Sequence, residues 1–284
     1  MKQSVRLNVA LLIAVLLAGA LVYIRPPTGG PVEHAVSEHT PAAATSIRIE
    51  RPGRENMVVE NRNGTWFLSA PFKARADEFM LQRILAILQA RTSHRFPATD
   101  LARFKLEKPI ARLTIDGQTF DFGMISELSR DQYVRSGDSV YSLSTRYGLA
   151  LPTRPEALAS RRLLAPGETP VRFSLPGFTV AQSGEAWTKE PRAAEGSQDD
   201  IHRWVDEWLA ATALRVEPYQ EDDAPESVRI ELANGESLRI GILRRKPEVA
   251  LIRRDQHLQY SFAGELGERL LAPPSAQKNP IAKH

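Results

Sequence analysis

The residues able to do chemistry are few and widely spaced. The chain has no cysteine, which removes thiol nucleophiles, thiolate metal sites and disulfides. Its histidines include His34 and His39 in a stretch without hydrophobic periodicity. His94 follows a helical pattern, where an imidazole can cap terminal carbonyls. His202 reads as solvent-facing on a second helical pattern, and His257 falls in a predicted hairpin turn. That scatter has no metal-ligand spacing, and no cofactor is expected. The sequence contains no Gly-x-Ser-x-Gly, His-Glu-x-x-His, phosphate-cradling glycine loop or calcium loop. A hydrolase with carboxylates brought together from distant positions remains an alternative. The chemistry that does cluster is charge. Arg244-Arg245-Lys246 and Arg253-Arg254 flank one predicted hairpin, with Glu217, Glu221, Asp222, Asp223 and Glu226 just upstream. Such a hairpin is either a solvated tip or a docking surface for an anionic partner, a lipid headgroup or a cell-wall polymer. Arg244, Arg245 and Lys246 are the candidate partner-contact residues.

The elements that would position these groups come in two similar series. Asn63-Gly64, Trp66, Pro71 and Asp77 precede one apolar helical pattern; Ser183-Gly184, Trp187, Pro191 and Ser197 precede another. Gly64, Pro71 and Asp77 pair with Gly184, Pro191 and Ser197 at one constant offset. Leu81, Ile84, Leu85 and Leu88 match Ile201, Trp204, Val205 and Trp208, an i, i+3, i+4, i+7 stripe in both. Asp77 and Ser197 are good N-caps, and Ser197 with Asp200 resembles a capping box. Trp204 and Trp208 would suit a carbohydrate platform, but their place in the stripe makes them core residues. Trp66 and Trp187, each after a turn on an alternating strand, are expected to be buried.

Hairpins follow each helix. Asp116-Gly117 and Asn234-Gly235 lie between alternating strands and are strong tight-turn signals. Gly123 and Gly241 end the second strands; another hairpin follows each, and Leu163-Leu164-Ala165-Pro166 is echoed by Leu270-Leu271-Ala272-Pro273. The expected class is α+β: two repeated units, 46–166 and 170–273, each an antiparallel sheet with a packed helix.

The ends set the address. Residues 7–24 carry no charge and are apolar apart from Asn8, long enough as a helix to span the hydrocarbon of a bilayer. Lys2, Arg6 and the initiator amine outweigh Arg25, which favours a cytoplasmic N-terminus. Residues 1–25 are thus read as a cytoplasmic tip and transmembrane anchor, with 26–45 a flexible spacer and 274–284 a disordered tail. The competing reading is a signal peptide cleaved after Ala18-Gly19-Ala20, although Leu21-Val22-Tyr23-Ile24 carry the apolar run beyond that site. Either reading exports the remainder, so the expected place is the inner membrane, with the soluble part in the periplasm. Of 37 basic residues, Lys2, Arg6 and Arg25 belong to this end, leaving 34 to face 34 acidic ones. A formally neutral exported part lacks the electrostatic footprint of a nucleic-acid binder.

The order Ile47-Arg48-Ile49-Glu50, Gly64-Thr65-Trp66, Pro71 and Ala76-Asp77 is followed by Phe104-Lys105-Leu106, Pro109, Gly123, Tyr133-Val134 and Val140-Tyr141. This series resembles a bacterial family, the domain of unknown function numbered 4340, best over 46–166 and extending to about residue 273. Lys105 stands where the family's aromatic-Gly-Leu element has glycine. The resemblance supplies no catalytic residues. It implies an anchored, non-enzymatic envelope protein whose partners are subunits of an ABC-type exporter related to gliding-motility transporters. An envelope glycan- or lipid-binding module is the alternative.

Overall fold

The computed structural model describes residues 15, 32–191, 197–219 and 224–274. A two-stranded pair, β1 (His34–Ala35) with β6 (Arg91–Thr92), accompanies two large antiparallel sheets. The first contains β2 (Ser46–Glu50), β3 (Met57–Arg62), β4 (Thr65–Ala70), β5 (Ala74–Arg75), β7 (Arg95–Pro97), β8 (Ala111–Ile115), β9 (Gln118–Ile125), β10 (Asp131–Ser136) and β11 (Ser139–Ser144). Their spatial order is β5-β4-β3-β2-β8-β9-β10-β11-β7. The second contains β12 (Pro170–Leu175), β13 (Phe178–Ser183), β14 (Ala186–Glu190), β15 (Arg215–Pro218), β16 (Glu226–Leu232), β17 (Ser237–Arg244), β18 (Val249–Arg253) and β19 (Leu258–Phe262). It runs β14-β13-β12-β16-β17-β18-β19-β15. Apart from β5, every strand of the first sheet has a counterpart in the second.

One path builds both sheets. A three-strand meander ends at one edge, and a helix carries the chain to the far edge, where a short strand (β7 or β15) pairs. The chain then returns to the centre and fills the gap with a four-strand meander. The crossing helices are α1 (Glu78–Leu85) and α3 (Gln198–Ala210). Asp77 caps α1 by accepting from the Met80 amide; Ser197 and Asp200 close a reciprocal capping box on α3. The stripes Leu81, Ile84, Leu85, Leu88 and Trp204, Val205, Trp208 are buried under their sheets. Asp116 and Gly117 both take positive φ, as the tight turn requires; in the second turn only Gly235 does.

The class differs from the α+β expectation. Strand makes up 43% of the described residues and helix 20%, so the protein is mostly β, with three antiparallel sheets rather than sheets matched by packed helices. The physical reason lies in helix length. The apolar period around Leu81 stays α-helical only to Leu85 and tightens to a 3-10 turn over Ala86–Gln89. Two further helices, α2 (Arg146–Leu149) and α4 (Gly264–Leu271), follow the last strands of the two meanders. Among the described residues no helix is long and apolar enough to cross a membrane. Except for Val15, the apolar stretch 7–24 lies outside the described residues, as does the tail beyond Pro274.

The expected spacer also differs in part. Residues 34–45 pair, turn and pack: Val36 and Ala44 are buried, and Gln118 donates to the Val36 carbonyl while accepting from Ser37. Trp187 is buried as expected. Trp66 is half-buried because its strand faces the junction between the two units rather than the underside of a helix.

Lys105 adopts left-handed backbone angles, φ 54 and ψ 41, at the end of a 3-10 turn. A Cβ there is unfavourable, by about 1–2 kcal/mol, and the side chain is exposed. Lys105→Gly is therefore expected to stabilise the fold by up to about 1 kcal/mol after its greater unfolded-state freedom is counted. Urea denaturation of the two proteins side by side measures this; a lower midpoint for the glycine variant would reject the strain.

Candidate functional site

The two sheets meet along residues 158–163, which act as a strand shared between them. Ala159 bridges to Ala76 on one side, and Arg162 to Thr212 on the other. The Asp77 amide donates to the Leu158 carbonyl at 2.8 Å, and the Ala213 amide to the Arg161 carbonyl at 2.8 Å. The junction is thus held by main-chain hydrogen bonds, which fix its side chains in place.

Behind this strand lies Arg253, a guanidinium only 1% exposed. Its Nε and Nη2 donate to the two Asp255 oxygens at 2.9 and 2.6 Å. Nη1 and Nη2 donate to Glu168 at 2.9 and 2.8 Å, and Nη1 also donates to the Leu163 carbonyl at 2.9 Å. All five donors of the fork find acceptors. Burial opposes the charge of Arg253, but hydrogen bonds to Asp255 and Glu168 outweigh it and raise its pKa. Burial likewise opposes the charges of Glu168 and Asp255. Hydrogen bonds and attraction from Arg253, with a further contribution from Arg75, hold both below the usual carboxylate range. The sequence grouped Arg253 with the exposed cations of the hairpin. The missed signal was the strand's place: all five residues of β18 are buried, on both faces, so Arg253 at its end is buried with them.

In front of the shared strand opens a cleft of about 670 Å³. Trp66 and Phe79 form its apolar wall, and Arg75, Arg161 and Arg162 supply charge. Phe79 is 68% exposed although it is a phenyl ring. The Arg75 Nη2 donates to the Arg162 carbonyl at 2.8 Å, while its buried Nε has no acceptor. Asp77 and Glu78 also line the cleft; the Asp77 carboxylate is committed to capping α1, and Glu78 lies in the first turn of that helix.

A second cleft, of about 710 Å³, lies between residues 35–39 and the first sheet. Its buried carboxylate is already satisfied: Asp121, 1% exposed, is clamped by Arg112 at 2.6 Å and Arg135 at 2.9 Å. The hydrogen bond to Asp121 outweighs burial and raises the Arg112 pKa. Gln118 also donates to Ser136, tying residues 35–39 to the β10 hairpin. This arrangement fastens a strap onto a sheet.

Arg244, Arg245 and Lys246 are exposed at the end of β17 and in the loop after it. Arg245 pairs with Glu226 at 2.6 Å, and the Arg244 Nε reaches the Glu248 carbonyl only at 3.5 Å. Glu221, Asp222 and Asp223 lie outside the described residues. The loop 245–248 occupies the same place in its sheet as 126–130 does in the first, where Leu128 is 98% exposed. His94, His202 and His257 are exposed and separate, His257 in a turn at φ 53. His94 sits between β6 and β7, beside the Ser93 hydroxyl, rather than on a helix end. Among the described residues no group of histidine and carboxylate side chains has metal-binding geometry.

No curated protein and no solved structure matches the chain. A family model described as a domain of unknown function (DUF4340) matches residues 66–227, from the Trp66 strand across the junction to β16. The match covers more than half of the sequence and includes both the cleft and the shared strand, so the chain belongs to the DUF4340 family.

Proposed function

We propose that this protein is a non-enzymatic accessory component of the cell envelope that works by docking beside an ABC-type export complex. The observation that carries the reading is the pair of equivalent loops. Each sheet presents one hairpin loop at the same topological position, ending in fully exposed Leu128 in the first and in Arg245-Lys246 in the second. At equivalent places the two loops thus offer an apolar tip and a cationic one, surfaces that a partner with matching chemistry can recognise. The ionisable groups with displaced titration, Arg51, Arg112, Glu168, Asp200, Arg253, Asp255 and Tyr260, are all held in structural hydrogen bonds: Arg51 to main-chain carbonyls, Tyr260 to Gln256, and the rest in pairs and caps. That use fits a scaffold better than proton transfer. The apolar stretch 7–24, with its flanking charges, supports confinement at the inner membrane, where modest contacts suffice because effective concentration is high.

Mild-detergent purification of the native protein is expected to recover transporter subunits. Reversing Arg244, Arg245 and Lys246 to Glu should reduce that recovery, and Leu128→Asp should reduce it separately. These residues are exposed, so folding should survive, as circular dichroism can verify. Recovery of the protein alone, under conditions that preserve other membrane complexes, would overturn the partnership. Unchanged recovery in both variants would reject the loops as the contact. An export-dependent reporter fused after Pro273 should be active, and activity only of a cytoplasmic reporter would reverse the address.

A further inference from the structure

The cleft at the junction gathers positive charge. Several arginines of this protein are matched to carboxylates: Arg112 and Arg135 to Asp121, Arg203 to Asp200, Arg215 to Glu248, and Arg269 to Glu207. Among the described residues, Arg75, Arg161 and Arg162 have no ion pair at all. They nevertheless converge on one concave surface of about 670 Å³, a size suited to a small ligand. Arg161 and Arg162 are exposed. Arg75 donates through Nη2 to the Arg162 carbonyl, its buried Nε has no acceptor, and its charge also attracts Glu168 and Asp255.

Aromatic rings line the same cleft. Trp66 is half-buried, and Phe79 stands largely in solvent on the first turn of α1. Aromatic faces at the mouth of a pocket suit the C–H face of a sugar ring or another planar group, and arginine forks suit carboxylate or phosphate oxygens. Main-chain bonds through 158–163 hold them at a set separation, so the cleft is formed before any ligand arrives.

We infer that this inter-unit cleft binds an acidic sugar, with its ring against Trp66 and Phe79 and its anionic group against Arg75, Arg161 and Arg162. Carboxylated and phosphorylated sugars share that chemistry. The site is distinct from the loops assigned to a protein partner, and it stands or falls independently of the export-complex reading.

Trp66 provides the readout, because Trp187, Trp204 and Trp208 are 9%, 4% and 0% exposed and report little of the surface. The full-length protein in detergent is titrated with trigalacturonate, glucose 6-phosphate, maltotriose and sulfate while tryptophan emission is followed. A saturable change is expected with one or both acidic sugars and not with maltotriose or sulfate at equal concentration. Trigalacturonate alone would assign a carboxylated ligand; glucose 6-phosphate alone would assign a phosphorylated one. The double variant Arg161→Glu, Arg162→Glu should weaken binding by about tenfold or more, the loss expected of charge-assisted pairs. Trp66→Phe should remove the emission change while calorimetry still detects binding. A response to maltotriose equal to that of the acidic sugars would overturn the anion site, and an equal response to sulfate would overturn the ring wall. No saturable response to either acidic sugar, or unchanged affinity in a double variant with a native circular dichroism spectrum, would overturn the proposal entirely.

Discussion

Arg253→Ala is expected to destabilise the protein by about 3–5 kcal/mol, the usual cost of removing one partner from a buried ion pair. The loss exceeds that of a surface salt bridge because of what the substitution leaves behind. Glu168 would retain its charge, with its side chain only 18% exposed and no guanidinium to accept from. The Leu163 carbonyl would lose its Arg253 donor at the place where the shared strand enters the second sheet. Urea denaturation followed by circular dichroism measures the effect. Arg253→Met is the informative companion, since it retains apolar volume while deleting the same donors. If the ionic network matters, Arg253→Met should recover only part of the loss. Full recovery by methionine would show that Arg253 acts by filling space.

The same network sets an acid limit. Glu168 and Asp255 are held below their ordinary values of 4.5 and 3.8. A depressed folded-state pKa contributes stability that is present above the unfolded value and lost as pH falls through the folded one. Stability should therefore be flat near neutrality and decline below about pH 4.5 as the unfolded state begins to take up protons. Glu168 should dominate, because Asp255 is 46% exposed and solvent screens its pair with Arg253. In Glu168→Gln the acid slope should be shallower and the neutral-pH stability lower. An unchanged slope would assign the acid sensitivity to other carboxylates.

How much of this was legible in sequence depended on the range of the interactions involved. The caps at Asp77 and Ser197 and the Asp116-Gly117 turn are local, each decided by a few neighbouring residues, and all three occur where the pattern placed them. The apolar stripe on α3 was legible for the same reason. Helix content was overread because period marks a face but not its length, and the 3-10 turn after Leu85 satisfies the same spacing. Residues 34–45 looked like a spacer because their apolar residues, Val36 and Ala44 among them, show no periodicity. Their burial depends on Gln118, Arg91 and Thr92, all distant in sequence. The cleft was illegible for that reason too: Trp66, Arg75 and Phe79 belong to one unit, while Arg161, Arg162 and Thr212 come from the connection and the next. Only the fold brings them together.

Trp208→Ala should cost a further stability of about 3–5 kcal/mol, typical of emptying a large aromatic site. Trp208 is fully buried, with its ring 5.4 Å from Phe173 and 5.9 Å from Trp204. Its indole Nε1 donates to the Leu270 carbonyl at 3.0 Å, so one side chain joins the crossing helix α3, the strand β12 and the closing helix α4. Deletion opens a cavity among rigid rings that cannot collapse into it, and leaves a carbonyl in an apolar setting. Trp208→Phe separates these effects: it keeps most of the ring and loses only the donor, so it should cost about 1–3 kcal/mol. Equal losses for Ala and Phe would show that the Leu270 bond, rather than packing, holds α4. Most buried apolar residues of both sheets belong to one continuous hydrophobic cluster, and Arg253 bonds across the connection between them. The destabilisation should therefore move one cooperative transition and leave the first unit no more stable than the second. Two separated transitions in Trp208→Ala, with the second unit melting first, would show that the sheets fold independently and that the junction only aligns them.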